Sequence, residues 1–482
     1  MTWRRFTGAA AVGLVAASGV LAAQPVTPVA SFRVRSENID WFGSAPGGSY
    51  SFVGAIARLG LEQQRARFGW RIELAAPVLL GLPANAATPA PSGLLGQGAN
   101  YSRANGNGTH SASVFLKQAY LRLRTGDQRW QARAGRFEFM EGAELTPANA
   151  TLAAVKRTRI AQRLIGPFGF THVGRSFDGA ELQFTRNKTN VTLMAGLPTA
   201  GVFTTDGWGH VGPGEGEVGL GYGALTAPGP WGGDRGEFRL FAIYYRDSRA
   251  TVKADNRPLA ARQADLASIG VGTVGAHYLQ ILPTASGPID LLGWGAYQFG
   301  NWGRLDHRAV AGTVELGWQP KVATRVRPWL RVGYFRGGGD GDPSDGTHGT
   351  FFQILPTPRP YARFPFFNLM NLEDLSASLT LRPGSRTTVR TDIRRLRLAN
   401  SADGWYLGGG AFAKDDFGFA VRPSTQFQNL ATLADLSVDV RVGSRWTVGV
   451  YGARATAGRV IEAIYPTRPG SWYGYLEVEY RR

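Results

Sequence analysis

Val326-Arg-Pro-Trp-Leu-Arg-Val-Gly-Tyr334 alternates with a period of two residues. Val326, Leu330, Val332 and Tyr334 share one face, and Arg327 and Arg331 share the other, which is the pattern of a strand with one apolar side. Glu181-Leu-Gln-Phe184, Leu121-Arg-Leu-Arg124 and Leu436-Ser-Val-Asp-Val-Arg441 repeat it. In a soluble sandwich the apolar face would be the core and the charges would meet water. In a transmembrane barrel the apolar face meets lipid and the charges line the lumen. Three features favour the barrel: aromatic strand ends, segments of roughly 9–11 residues, and a near-absence of helical pattern. A chain with 65 glycines and 11% aromatic residues suits such a turn-rich fold with interfacial rings. The predicted fold class is all-β, a single antiparallel up-and-down transmembrane barrel of about 18 strands.

Candidate strands lie near 31–40, 51–61, 66–75, 112–124, 128–137, 176–186, 189–196, 237–246 and 267–278. They continue near 289–299, 307–317, 326–336, 374–382, 386–398, 404–414, 432–441, 445–454 and 472–480. Tight turns at Thr125-Gly-Asp-Gln128, Arg186-Asn-Lys-Thr189, Pro383-Gly-Ser385 and Val442-Gly-Ser444 separate several of them. Long connections fall at 76–111, 138–174, 197–236 and 337–373, and such loops belong outside the cell, with short turns in the periplasm. Strict alternation of sides conflicts with this set, because it sends 337–373 to the periplasm and Pro383-Gly-Ser385 outside. One strand is therefore missed or over-counted, and 217–226 is a candidate for a missed one.

Residues 1–23 read as a secretory signal peptide. Arg4 and Arg5 are its positive start, Gly8 to Val20 its apolar stretch, and Val20-Leu-Ala-Ala23 its cleavage region. A short membrane anchor is the alternative, but the apolar run is too brief to span a bilayer. Residues 24–482 are expected to form one barrel domain, without a separate N-terminal globular plug. The chain closes on Tyr480-Arg481-Arg482, where such barrels commonly close on an aromatic residue. The absence of cysteine excludes disulfides and thiolate metal sites and fits a protein crossing an oxidising periplasm. Mean hydropathy is −0.16, and no stretch after the signal approaches the roughly 18 apolar residues of a spanning helix.

The formal charge is +18, and loss of Arg4 and Arg5 with the signal leaves +16. The basic residues are dispersed, and secretion argues against a nucleic-acid partner. Acidic substrates or an anionic lipid surface are the expected partners. Catalytic motifs are missing: none of the six histidines has metal-ligand spacing with another, and no nucleophile elbow or phosphate loop is present. The expectation is a non-enzyme without a cofactor. Gly214-Glu-Gly216 and Gly219-Leu-Gly-Tyr-Gly223 lack a strand–helix context and read as loop or strand glycines. Asp340, Asp342 and Asp345 could offer hard oxygens to calcium. However, Asp345 stands where the turn glycine of a calcium loop belongs, and Phe351 where its bidentate glutamate belongs, so a solvated acidic turn is the competing reading.

Arginine is the informative constellation. Arg122, Arg124, Arg133, Arg239, Arg327, Arg331, Arg390 and Arg394 occupy the polar parity of their strands. A charge facing lipid at the midplane costs about 2–4 kcal/mol, so these side chains should point into the lumen. There they would meet Glu181, Asp392, Asp435, Asp439, Glu477 and Glu479. Mutual pairing would merely fill the barrel, whereas an excess of guanidinium would make an anion-selective path. The planar guanidinium fork also suits carboxylated sugars.

Several segments resemble the alginate export family in content and order. They are Gly135-Arg-Phe-Glu-Phe139, Arg175-Ser-Phe-Asp-Gly-Ala180, the Phe351–Thr357 loop with its Leu-Pro-Thr, the Asn371–Leu375 strand start, and Asp403-Gly-Trp-Tyr406. The resemblance covers roughly residues 115–410. It implies an outer-membrane barrel of a Gram-negative bacterium that exports an anionic, uronate-rich exopolysaccharide through an electropositive constriction. Carried onto matching positions, it adds Arg136, Arg175 and Asp178 to the pore-lining candidates. Phe137 stands where the family usually has glutamine. The implied partners are an anionic polysaccharide or acidic small solutes, outer-membrane lipid and lipopolysaccharide, and periplasmic export machinery, with the barrel acting as a monomer. The alternatives are an anion-selective diffusion porin importing small acidic nutrients, and a non-transport barrel such as a hydrolase or adhesin.

Overall fold

The computed structural model describes residues 25–43, 47–212, 217–230 and 233–482. The signal-peptide expectation and the Gly214-Glu-Gly216 motif lie outside the described residues. Alternating side chains produce long strands, as the sequence pattern requires. The first group is β1 (Thr27–Asp40), β2 (Ser49–Gln64), β3 (Phe68–Leu80), β4 (Phe115–Arg124), β5 (Trp130–Phe137) and β6 (Phe177–Arg186). The second is β7 (Thr189–Pro198), β8 (Val218–Gly229), β9 (Gly233–Asp247), β10 (Ile269–Leu282), β11 (Ile289–Trp302) and β12 (Leu305–Trp318). The third is β13 (Trp329–Gly337), β14 (Leu372–Leu381), β15 (Thr387–Arg397), β16 (Asn429–Val442), β17 (Trp446–Ala457) and β18 (Gly470–Arg481).

Each strand pairs antiparallel with its sequence neighbours, and β1 pairs with β18 from Ser31↔Arg481 to Asp40↔Trp472. These 18 strands therefore close into one barrel, and closure leaves no unpaired edge to face hydrocarbon. The outward parity is apolar: Leu121, Leu123, Val310, Val314, Leu375, Ile393 and Val450 are all more than half exposed to the surroundings of the barrel. Aromatic rings mark the ends of that band. Trp130 packs on Phe184 at 4.7 Å near one end, and Tyr297 stacks on Phe299 at 6.0 Å near the other.

Tight turns such as 187–188, 382–386 and 443–445 gather at one end, and the long connections 81–114, 138–176, 199–217, 338–371 and 398–428 gather at the other. The conflict of sides in the sequence reading disappears through two compensating changes. Residues 218–229 are a wall strand, whereas 404–414 are not. In β8 the usual pattern is inverted. Val218, Leu220, Tyr222 and Ala224 face inward and are buried, while glycines alternate with them on the outside, so the segment reads as a glycine loop. In 404–414 only Trp405–Gly408 is extended, and it forms a ribbon with Phe419–Arg422 inside a long connection. Gly408 and Gly410 take φ of 132° and 81°, which turns the chain away from the wall.

The long connections fold into the lumen and build an apolar core there, a plug made of loops and not of a separate N-terminal domain. Phe351, Phe352, Ile354, Leu355, Phe364, Phe366 and Phe367 are all buried within the barrel. The 138–176 connection descends to the short-turn end, where α1 (Ala150–Val155) begins on Asn149. The Asn149 carboxamide oxygen accepts from the Thr151 and Leu152 amides, satisfying two free helix-end donors. A π-helical turn, Lys156–Ile160, follows and points Lys156 and Arg159 at wall carboxylates.

Candidate functional site

Between the inserted loops and the wall formed by β1–β4 and β18 lies a vestibule of about 770 Å³. Arg33, Arg58, Arg71, Lys117, Arg359, Arg363, Arg481 and Arg482 line it, against Glu73, Glu138 and Glu479. Arg359 also lines a narrow cavity of about 30 Å³ beside Trp41, Leu94 and Phe168. That is room for little more than one water molecule. Arg422 lines an outer pocket of about 360 Å³ and donates at 2.6 Å to the carbonyl of Leu94, a residue of the narrow cavity. Arg359 thus sits where the vestibule meets the narrow cavity.

Most wall arginines marked in the sequence point inward and meet an acid. Arg133 pairs with Glu181 at 2.6 Å and lies over the Phe137 ring. Arg136 and Asp178, expected in the pore, instead lie in the outward row of Ala119 and Leu197 near the long-loop rim, because an unshifted register gives Arg136 the parity opposite to Arg133. They make two parallel bonds of 2.7 Å, and Asp178 also contacts His210. Arg239 bonds Glu141 at 3.0 Å and Glu144 at 3.1 Å, with the Tyr222 hydroxyl beside it. Arg331 contacts Asp290 and reaches Glu315 at 3.3 Å, and Glu315 is gripped from the plug side by Arg159 at 2.8 Å. Arg390 pairs with Asp392 at 2.7 Å, and Arg394 with Asp374. Arg122 and Arg124 face inward at the short-turn rim without a carboxylate within 4 Å among the described residues; Arg124 bonds Gln131 at 2.8 Å. Arg327 precedes β13 and caps the turn at Arg382 and Gly384 instead of entering the lumen.

Apart from Arg122 and Arg124 at the rim, the acid-free guanidiniums buried in the interior sit on the loops. Arg163, Arg175, Arg359 and Arg422 are all nine-tenths or more buried, and among the described residues none has a carboxylate within 4 Å. Arg175 donates to the Gly409 and Ala411 carbonyls, and burial pushes its pKa down to about 9. Arg359 donates to the carbonyls of Ala362, Arg363, Phe364, Pro365 and Phe367, a cradle that fixes the turn it begins. Burial brings Arg359 down to about 10, so both remain cationic at neutral pH. Arg163 is held by the Arg159 carbonyl and by the rings of Trp294 and Tyr361. Arg422 lies over Trp405 at 4.9 Å. Of these four only Arg175 was marked by the sequence, through its motif. The others sit in connections without periodicity, and their partners are backbone and rings, which leave no sequence signature.

Glu138 follows β5 and lines the vestibule. Burial opposes its ionisation, but Arg58 at 2.9 Å and Lys117 at 3.4 Å outweigh that and hold its pKa near 2. The acidic turn does not gather its carboxylates. Asp342 caps Ser344 and Asp345 caps Thr347, while Asp340 is buried beside Asp403, and among the described residues no three metal-ligating side chains converge.

The short motifs that resemble the alginate export family serve mainly to tie loops together. Asp403 accepts from Thr350 Oγ1 at 2.6 Å, the Asp340 amide at 2.9 Å and the Tyr406 hydroxyl at 2.7 Å, joining two connections. Asn371 donates to the Asn400 and Gly404 carbonyls, and Thr357 Oγ1 accepts from the Phe168 amide at 2.9 Å. Gly135 and Gly179 allow close strand approach. A Cβ at Gly135 would lie 2.3 Å from the Ala119 carbonyl, and one at Gly179 would lie 2.0 Å from that of Ala195.

Residues 230–467 match the model of the alginate export family, bearing out the resemblance carried by the motifs. Among solved structures, Pseudomonas aeruginosa OccK1 (OpdK) is similar at 9% identity and a TM-score of 0.52, over 94% of this chain and 98% of that chain. Acinetobacter baumannii OccAB2 is similar at 11% identity and a TM-score of 0.53, over 94% and 98%. OpdK has also been solved with vanillate, with the same identity and TM-score. At such identities these structures speak for the fold alone. No curated protein matches the chain. The closed barrel, its outward apolar band and the family match make this protein an outer-membrane channel of a Gram-negative bacterium.

Proposed function

From the match of residues 230–467 to the alginate export family, we propose that this channel passes an anionic, uronate-rich exopolysaccharide outward. The observation that carries an anionic cargo is the set of acid-free loop arginines, with Arg359 between the vestibule and the narrow cavity and Arg422 lining the outer pocket. A buried guanidinium satisfied by neutral carbonyls keeps its full charge for a passing carboxylate, because no internal acid cancels it. Polymer identity rests on the family match, since guanidinium chemistry selects charge and planarity and not chain length. Repeated weak contacts along the vestibule would let a chain slide where one tight site would hold it.

Uptake of small acidic solutes is the second reading. The narrow cavity of about 30 Å³ admits neither a sugar unit nor a small aromatic carboxylate unless a loop yields, so what favours this reading is the inward fold of the long connections. The solved structure of OpdK with vanillate gives a fold precedent for a small carboxylate ligand.

Planar-bilayer recording separates the two. Export predicts anion-selective currents that mannuronate or guluronate oligomers interrupt, with blocks that lengthen as the oligomer grows and shorten in Arg359→Gln. Uptake predicts permeation by vanillate-sized carboxylates without length-dependent block. Cation selectivity, or indifference to both ligands, would sink the anionic reading altogether.

A further inference from the structure

The outer wall carries an arginine cluster that the lumen does not use. Arg336 in β13, Glu373 in β14 and Arg397 in β15 occupy one cross-strand row, through the pairs Arg336↔Glu373 and Glu373↔Arg397. Arg395 lies one row deeper, opposite Leu375. All four share the outward parity of Tyr334, Leu375 and Ile393, which are exposed on the apolar band just below. Arg336 and Arg397 adjoin the 338–371 and 398–428 connections, so the cluster sits at the extracellular rim.

Charge does not balance there. Glu373 bonds Arg336 at 2.8 Å and lies 4.0 Å from Arg397, whose other nitrogen bonds Gln428 at 2.8 Å. Arg395 is exposed and has no hydrogen bond or ion pair among the described residues. Three guanidiniums and one carboxylate leave a net charge of +2 facing the bilayer. An outward arginine costs about 2–4 kcal/mol at the midplane and about 0–1 near the interface, so the rim is where such residues are tolerated. Tolerance does not explain the clustering on three adjacent strands.

We propose that Arg336, Arg395 and Arg397 form a binding site for the phosphate groups of a phosphorylated glycolipid in the outer leaflet. At this height on a barrel wall the neighbour is a lipid headgroup. Strands about 4.8 Å apart place Arg336 and Arg397 roughly 10 Å from each other, a span that suits a headgroup bearing phosphates at both ends. Guanidinium binds phosphate through paired N–H donors, and Leu375 and Ile393 below meet the acyl chains. Glu373 orders the flanking arginines without neutralising them. The site is independent of what crosses the lumen.

The test uses the full-length barrel in phosphatidylcholine vesicles containing either diphosphoryl lipid A or its dephosphorylated form. Wild type is expected to bind the diphosphoryl form selectively. Arg395→Gln with Arg397→Gln should weaken that binding about 25-fold, roughly fivefold per arginine near an anionic surface. Equal binding of the two lipids by wild type, or full selectivity in the double variant, overturns the proposal, as does lipid-independent dimerisation through this wall. If the double variant does not assemble, Glu373→Gln decides. Removing the only acid should tighten diphosphoryl binding about fivefold by the same arithmetic, and unchanged or weaker binding overturns the site.

Discussion

Glu315 illustrates how this barrel holds its charges. Its carboxylate takes two bonds of 2.8 Å from Arg159 on the plug and one of 3.3 Å from Arg331 on the wall. Glu315→Gln would leave the buried Arg159 guanidinium without an anion, while Arg331 keeps Asp290, a loss of about 3–5 kcal/mol. Urea unfolding of detergent-solubilised protein should show the decrease, and a change under 1 kcal/mol would count against this account. Asp340 behaves in the opposite sense. Burial is the main cause that raises its pKa to about 6, and one carboxylate oxygen, Oδ2, has no hydrogen-bond partner. The native state therefore retains a proton that the unfolded chain releases, so this residue's contribution to stability falls as pH rises from about 4 to about 6. Asp340→Asn should flatten that part of the melting-temperature profile and raise stability at pH 7.5. Thermal scans across the interval check both expectations.

Strands and loops differ in what the sequence reveals of them. Alternation exposes a strand whenever its two faces meet unlike surroundings, as in β4, where Leu121 and Leu123 meet lipid and Arg122 and Arg124 face inward. It misleads where the inner face is apolar, as in β8 against the plug, or where both faces are buried, as in Trp405–Gly408. The family-like glycines belong to this scale. Gly135 has φ 122° in addition to its close approach to the Ala119 carbonyl, so Gly135→Val must push β4 and β5 apart. Overpacking of this kind costs about 1–3 kcal/mol before backbone strain is counted. The variant should lower the yield of heat-modifiable, folded barrel on unheated gels, while Gly443→Ala in an open turn should lower it less.

At the scale of the whole molecule, the wall supplies an interior paired except at the Arg122 and Arg124 rim, and the loops supply buried guanidiniums without acids. Arg175 and Arg249 clamp the 398–428 connection by donating to its backbone at Gly409, Ala411, Ala413 and Asp416. Shortening residues 409–418 to a tight turn should remove that clamp and enlarge the path between Arg359 and Arg422. Single-channel conductance is expected to rise severalfold with anion preference retained, because Arg359 keeps its own carbonyl cradle. Unchanged conductance would place the narrowest point elsewhere. Selectivity should also weaken as salt increases, since screening shortens the reach of the vestibule charges from about 10 Å at 0.1 M to about 3 Å at 1 M.

The sequence by itself determined the all-β barrel, about 18 strands, and the inward placement of most marked arginines. A two-residue period records which face meets lipid, and the cost of a lipid-facing charge enforces the sign. Tertiary structure alone decided which arginines keep a free charge. Arg133, Arg136, Arg239 and Arg331 are neutralised by carboxylates from other strands or from the plug, whereas Arg359 and Arg422 rest on carbonyls and aromatic rings. Pairing across a barrel depends on strand register and on loops that fold back through the lumen, and neither leaves a local pattern in the chain. The same limit hid the cluster at Arg336, Arg395 and Arg397, whose residues come together only when three strands align.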